Sequence, residues 1–77
     1  MANTNTSVFP QRLCQAIAES GLTQEKLAHA IGIEPPNICF WKSGRNLPRT
    51  RHLLAIADIL NVSIDWLFGR EAAEQEG

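Results

Sequence analysis

This sequence is poor in the residues that build metal cages and covalent staples. Cys14 and Cys39 are its two cysteines, and His29 and His52 its two histidines, in 77 residues. The cysteines lie too far apart for a zinc motif, and a disulfide framework has no export signal to support it. The expectation is two reduced, half-buried thiols and no metal. Long apolar runs are missing as well: nothing approaches the roughly 18 residues that a membrane span needs. The opening "MANTNTS" has neither the basic start nor the apolar stretch of a secretory signal. Residues 1–7 are therefore expected to be a flexible leader, and the location cytoplasmic. There is no strand-like alternation, no glycine-rich phosphate loop and no paired nucleophile and base, so neither an enzyme nor a cofactor or small-molecule ligand is expected.

What is present is a globular balance of 44% apolar and 19% charged residues. A chain this short allows one domain with a small core. The formal net charge of −1 gives no hint of a polyanion partner, but its distribution does. Between Pro35 and Ala57 there is no Asp or Glu, whereas Lys42, Arg45, Arg49 and Arg51 all fall in that span. Acids gather elsewhere, notably Glu71, Glu74 and Glu76. One patch is positive although the molecule is not.

Periodicity and capping signals predict five short helices, an all-α fold. Helix 1 is expected to start after Ser7, a capping residue, with Pro10 tolerated in the first turn. Phe9, Leu13, Ala16 and Ile17 share one face, and Gly21 is placed to end the helix. Thr23 should cap helix 2, where Leu27, Ala28 and Ile31 face inward and Gly32 stops the run. Helix 3 should extend from Pro35 to Lys42 or Ser43, with Ile38 and Trp41 on its buried edge. Helix 4 should cover 49–60, with Asn61 as a left-handed terminator. Ser63 should cap helix 5 over Ile64–Phe68. The domain is thus 8–69, followed by an expected flexible acidic tail over 70–77.

Helices 2 and 3 are joined by only "GIE". A turn that short between amphipathic helices forces a steep crossing, the helix-turn-helix arrangement. Ala28 permits close approach, Gly32 supplies a positive φ, and Ile33, Ile38 and Trp41 fill the wedge. Tight helical corners also occur in purely structural domains, so the pattern alone leaves the function open.

The stretches "LTQEKLAHAIGIEPPNICFWKSGR" and "LLAIADILNVSIDWLFG" resemble the Cro/cI-type (XRE-like) helix-turn-helix family of lambdoid phage repressors. The likeness runs from about Phe9 to Gly69. It implies a compact five-helix, lambda-repressor-like DNA-binding domain that binds double-stranded operator DNA, usually as a homodimer. Helix 3 then lies in the major groove. Gln24 matches the family's glutamine at the start of helix 2, where a phosphate is held. Ser43, Arg45 and Arg49 match backbone-holding positions, and Arg51 is a weaker candidate.

Departures from the family pattern are equally informative. An arginine in helix 1 and a glutamate in helix 3 commonly pair in relatives; here those positions are Ile17 and Lys42. Losing one member would strand a charge at a cost of about 3–5 kcal/mol, which joint replacement avoids. Lys42 is then free to reach a phosphate. The base-facing positions correspond to Pro35, Pro36 and Phe40, with Asn37 beside them. Prolines fit a first helical turn, whose amides have no intrahelical partner. Such side chains cannot donate to guanine; their available target is the thymine methyl. Either they read methyls and DNA shape, or Phe40 packs inward and Asn37 caps locally. Glu34, where relatives carry Ser or Thr, is expected to cap helix 3; its other option is to accept from cytosine N4.

Helix 5 offers Ile64, Trp66, Leu67 and Phe68 within a turn and a half. Either Ile64, Trp66 or Phe68 meets a second subunit, or Trp66 covers the core edge. Two readings of function compete. One is a sequence-specific transcriptional regulator, most simply a repressor. The other is a helix-turn-helix-shaped protein-interaction module or antitoxin-type autoregulator with little operator specificity.

Overall fold

Several helix ends are closed by a residue that settles orphan backbone groups. A computed structural model describes residues 8–70. It contains α1 (Phe9–Ser20), α2 (Gln24–Ile31), α3 (Pro35–Ser43), α4 (Thr50–Leu60) and α5 (Ile64–Leu67). The leader at 1–7 and nearly all of the tail lie outside the described residues. So does Ser7, the expected cap of α1. Val8 occupies that cap position and makes no side-chain bond there.

The caps follow local chemistry. The Thr23 hydroxyl accepts from the Lys26 amide at 3.0 Å, and Ser63 accepts from the Trp66 amide at 2.9 Å, each satisfying one donor of a first turn. At the other end, α2 closes with Gly32 at φ 90°. The Ile33 amide then folds back to the Ala28 carbonyl at 3.0 Å, a bond that a left-handed residue makes possible. Arg45 repeats it onto Phe40 at 2.9 Å, and Val62 onto Ala57 at 2.9 Å. Asn61 supplies the left-handed residue for α4, with φ 58°.

Among the described residues, eleven side chains form the buried core: Phe9, Leu13, Ala16 and Ile17 from α1, Leu27 and Ala28 from α2, Ile38 and Trp41 from α3, Ile56 and Leu60 from α4, and Leu67 from α5. On α1, α3 and α4 spacings of three and four put them on one face. α3 packs on α1 and α2, α4 on α1 and α2, and α5 on α1 and α4. Ile17 is buried in this core, filling with hydrocarbon the place where the resemblance implies an arginine.

Four details depart from expectation. Helix 5 is one turn, and Phe68 falls at its cap rather than inside it. Phe68 stacks on Phe9, ring centroids 5.1 Å apart. Leu54 turns outward and is 56% exposed, despite lying in an apolar run. Both cysteines are free and exposed rather than half-buried, since each follows an inward residue, Leu13 or Ile38, by one position and turns to the side of its helix. Among the described residues no helix is long and apolar enough to cross a membrane.

The core and the caps should separate cleanly in unfolding experiments. Leu27→Ala removes a fully buried side chain and should cost about 2–5 kcal/mol. Thr23→Ala removes one cap bond and should cost about 1 kcal/mol. Urea titration followed by circular dichroism checks both; equal losses would contradict this division.

Candidate nucleic-acid interface

The site is built on the first turn of α3. Pro35 and Pro36 occupy its first two positions, so the Asn37 amide is the first N–H available. That amide donates to the Glu34 carbonyl at 3.0 Å. Nothing remains for the Glu34 carboxylate, which stands at the cap position yet makes no cap hydrogen bond. The expected capping by Glu34 is therefore absent; the Asn37 side chain instead adds a local bond, its Nδ2 donating to the same Glu34 carbonyl at 3.3 Å. One Asn37 amide hydrogen and its Oδ1 remain uncommitted by this bond.

On the next turn, Gln24 ties α2 to α3. Its Nε2 donates to Cys39 Sγ at 2.9 Å, and Lys42 Nζ donates to its Oε1 at 3.2 Å. The half-buried Lys42 therefore leans toward the start of α2 rather than standing alone. A neutral amide has taken the place of a counter-charge, and Lys42 brings its ammonium group to the Gln24 side chain at the start of α2. That end of a helix is already electropositive, and two positive features there favour an anion.

Phe40 lies outside both the core and the side chains packed on it. It is half-buried because the Arg45 guanidinium rests over its ring, 5.3 Å from the centroid. A cation over an aromatic face stabilises both groups by about 0.5–1 kcal/mol at an exposed site. Ser43 turns its hydroxyl back to the Phe40 carbonyl at 3.1 Å. The choice left open for Phe40 is thereby narrowed: it does not pack inward.

A shallow groove of about 330 Å³ continues from α3 along the loop to α4, lined by Asn37, Trp41, Asn46, Leu47, Arg49 and His52 among others. It brings Asn37 and Arg49 to one depression. The Trp41 and His52 rings tilt together, 5.8 Å between centroids, and form its wall. Asn46, Leu47 and His52 were not foreseen; the one sequence signal was the position of "RNLPR" between two capped helices. Leu47 is 44% exposed, an apolar side chain on an otherwise cationic loop.

The predicted residues thus fall into groups. Gln24 joins Lys42, Phe40 joins Arg45, and Asn37 joins Arg49. Pro35 is half-buried, while Pro36, Ser43, Arg45 and Arg49 are exposed. Arg51 stands apart on the outer face of α4, in helical register with Leu54 and Asp58. Trp66 is covered by Arg12, whose guanidinium sits 4.7 Å from its ring centroid and donates through Nη1 to the Trp66 carbonyl at 3.0 Å. Phe68 is engaged with Phe9, and Ile64 is half-buried. Among the described residues no three His, Cys, Asp or Glu side chains converge as metal ligands would.

Comparison with known proteins adds an independent line. Residues 15–67 match the helix-turn-helix family. The cryptic phage CTXphi transcriptional repressor RstR of Vibrio cholerae is 37% identical over 65 residues, covering 84% of this chain and 58% of that protein. The SOS-response transcriptional repressor LexA of Eubacterium rectale superposes with a TM-score of 0.78 at 30% identity, covering 87% of this chain and 71% of that one. The P22 c2 repressor in complex with a synthetic operator gives 0.77 at 22% identity, covering 83% and 97%; at that identity the likeness is one of fold. The chain spans under two thirds of the length of the first curated relatives it matches, 58% and 59%.

The outward setting of both thiols is directly measurable. Cys14 and Cys39 should both react with an aromatic disulfide reagent at native pH without denaturant, because an exposed thiol needs no unfolding to be reached. A thiol that reacts only once urea is added would place that cysteine inside the structure instead.

Proposed function

The chain belongs to the Cro/cI-type helix-turn-helix family, and from that premise we propose that it is a transcriptional regulator that represses by placing α3 in the major groove of an operator. Two copies bind a two-fold symmetric site, with recognition helices about 34 Å apart, one turn of DNA. The observation that carries this reading is the outward Phe40 under Arg45, set in a span from Pro35 to Ala57 that contains four cations and no acid.

The division of labour follows from chemistry. Lys42 with Gln24, Ser43, Arg45 and Arg49 hold phosphates; their contribution is affinity without sequence. Pro35, Pro36 and Phe40 offer hydrocarbon to the groove, and the thymine methyl is the apolar feature there. Asn37 keeps one amide hydrogen and its oxygen for an adenine edge. Glu34, with its carboxylate free, repels phosphate and accepts from cytosine N4. Recognition rests largely on methyl contacts and DNA shape. A protein-docking module is the competing reading, and exposed Leu47 and Pro36 beside the groove favour it.

Operator selection from random duplexes, repeated with two variants, separates these ideas. Phe40→Ala should relax preference at one or two T·A positions by about 1–3 kcal/mol. Arg49→Ala should weaken all sequences alike and flatten the salt slope by about one. An unchanged motif with Phe40→Ala removes the methyl reading. Binding to duplex DNA that ignores salt between dilute and physiological buffer removes the phosphate contacts and favours protein docking.

A further inference from the structure

α4 shows solvent a stripe that its own domain leaves largely uncovered, with Arg51, Leu54 and Asp58 exposed and Ala55 half-buried. Arg51, Leu54, Ala55 and Asp58 are three, four and seven residues apart, so they align along one face. Leu54 is one of two exposed large hydrophobics among the described residues. It borders an open depression with Ala55, Ala57, Asp58, Asn61 and Val62. The stripe is basic at its start, acidic at its end and apolar between. Arg51 and Asp58 are both exposed, and within the described residues neither side chain has a hydrogen bond or ion pair.

We infer that this stripe is where a second copy of the chain packs, its α4 antiparallel to the first about a two-fold axis between Leu54 and Ala55. Two-fold symmetry places residues equally distant from the axis opposite one another. Arg51 then faces the second copy's Asp58, and the same contact recurs at the other end. Leu54 faces the second copy's Ala55, a branched side chain entering the space a methyl leaves. A parallel pairing would instead set Arg51 against Arg51 and Asp58 against Asp58. Charge and size complementarity thus select one orientation, and a second copy of this chain matches the stripe because it carries the same pattern reversed. The apolar side chains of α5 are less suited: Trp66 is held under Arg12 and Phe68 on Phe9. Arg51 accordingly serves the pair rather than a phosphate.

This face supplies the two-fold pairing proposed above, and it rests on that reading only for its role on DNA. Sedimentation equilibrium of the chain without DNA, from micromolar to millimolar concentration, tests it. The chain should dimerise, and Arg51→Asp and Asp58→Arg should each weaken the dimer by about tenfold or more. The double variant should recover most of that loss, a coupling that independent surface changes do not show. Leu54→Ser should also weaken it, with helical content unchanged, since Leu54 lies outside the core. A chain that stays monomeric, or a double variant no better than either single, overturns the inference. Binding of monomeric Asp58→Arg to a half-site duplex is scored separately, so loss of pairing and loss of DNA recognition remain distinguishable.

Discussion

The three-residue turn from Gly32 to Glu34 is the constraint on which the rest depends. With so little chain between α2 and α3, their packing is set by what fills the corner. Gly32 takes a left-handed conformation, φ 90°, so that the Ile33 amide reaches back to Ala28. Ala28 itself is fully buried, leaving room for α3 to lie close. Ile38 and Trp41 then anchor α3 from beneath. A helix fixed in this way has one face committed to the core and the opposite one to solvent, and it cannot rotate to hide an apolar residue. Phe40 is outward because Trp41 and Ile38 are inward.

The two prolines extend that logic. A first turn without two of its amides leaves nothing for a capping carboxylate, so Glu34 becomes a free acceptor. The missing donors also mean that this end of α3 has less to offer an anion than an ordinary helix start. The compensating positive charge sits to either side, in Lys42 beside α2 and in Arg45 and Arg49 on the loop. Replacement of the family's ion pair follows the same economy. Ile17 joins the core, and Lys42 finds a neutral partner in Gln24, so no charge is buried unpaired. On the proposed reading, affinity and recognition fall to different residues: cations around the rim, hydrocarbon at the centre.

Much of this was legible in the residues. Helix limits were, because Thr23, Ser63, Gly21, Gly32, Gly44 and Asn61 act on their own neighbours within four residues. Core positions were, because Phe9, Leu13, Ala16 and Ile17 repeat at helical spacing. Contacts across the chain were not. Nothing near Arg12 announces that it will shelter Trp66, 54 residues away. Nor does anything near Phe9 predict a stacked Phe68. The Gln24–Lys42 pair joins residues 18 apart, and its distance in sequence hides it from any local pattern. Leu54 lies in an apolar run, but helix geometry turns it outward once Ile56 and Leu60 are seated.

The sequence by itself determined where the chain is helical, which face of each helix is apolar, and that one span carries cations without acids. These depend on backbone propensity, spacing and formal charge, all of which are properties of neighbours. Only the tertiary structure decided which exposed side chains stand together. It left the Glu34 carboxylate without a capping bond, placed Phe40 under Arg45, gathered Asn37 and Arg49 into one groove, and left Arg51, Leu54 and Asp58 exposed along one side of α4. The reason is that exposure is what remains after packing. A residue's freedom to meet a partner is fixed by how distant helices fill the space beneath it.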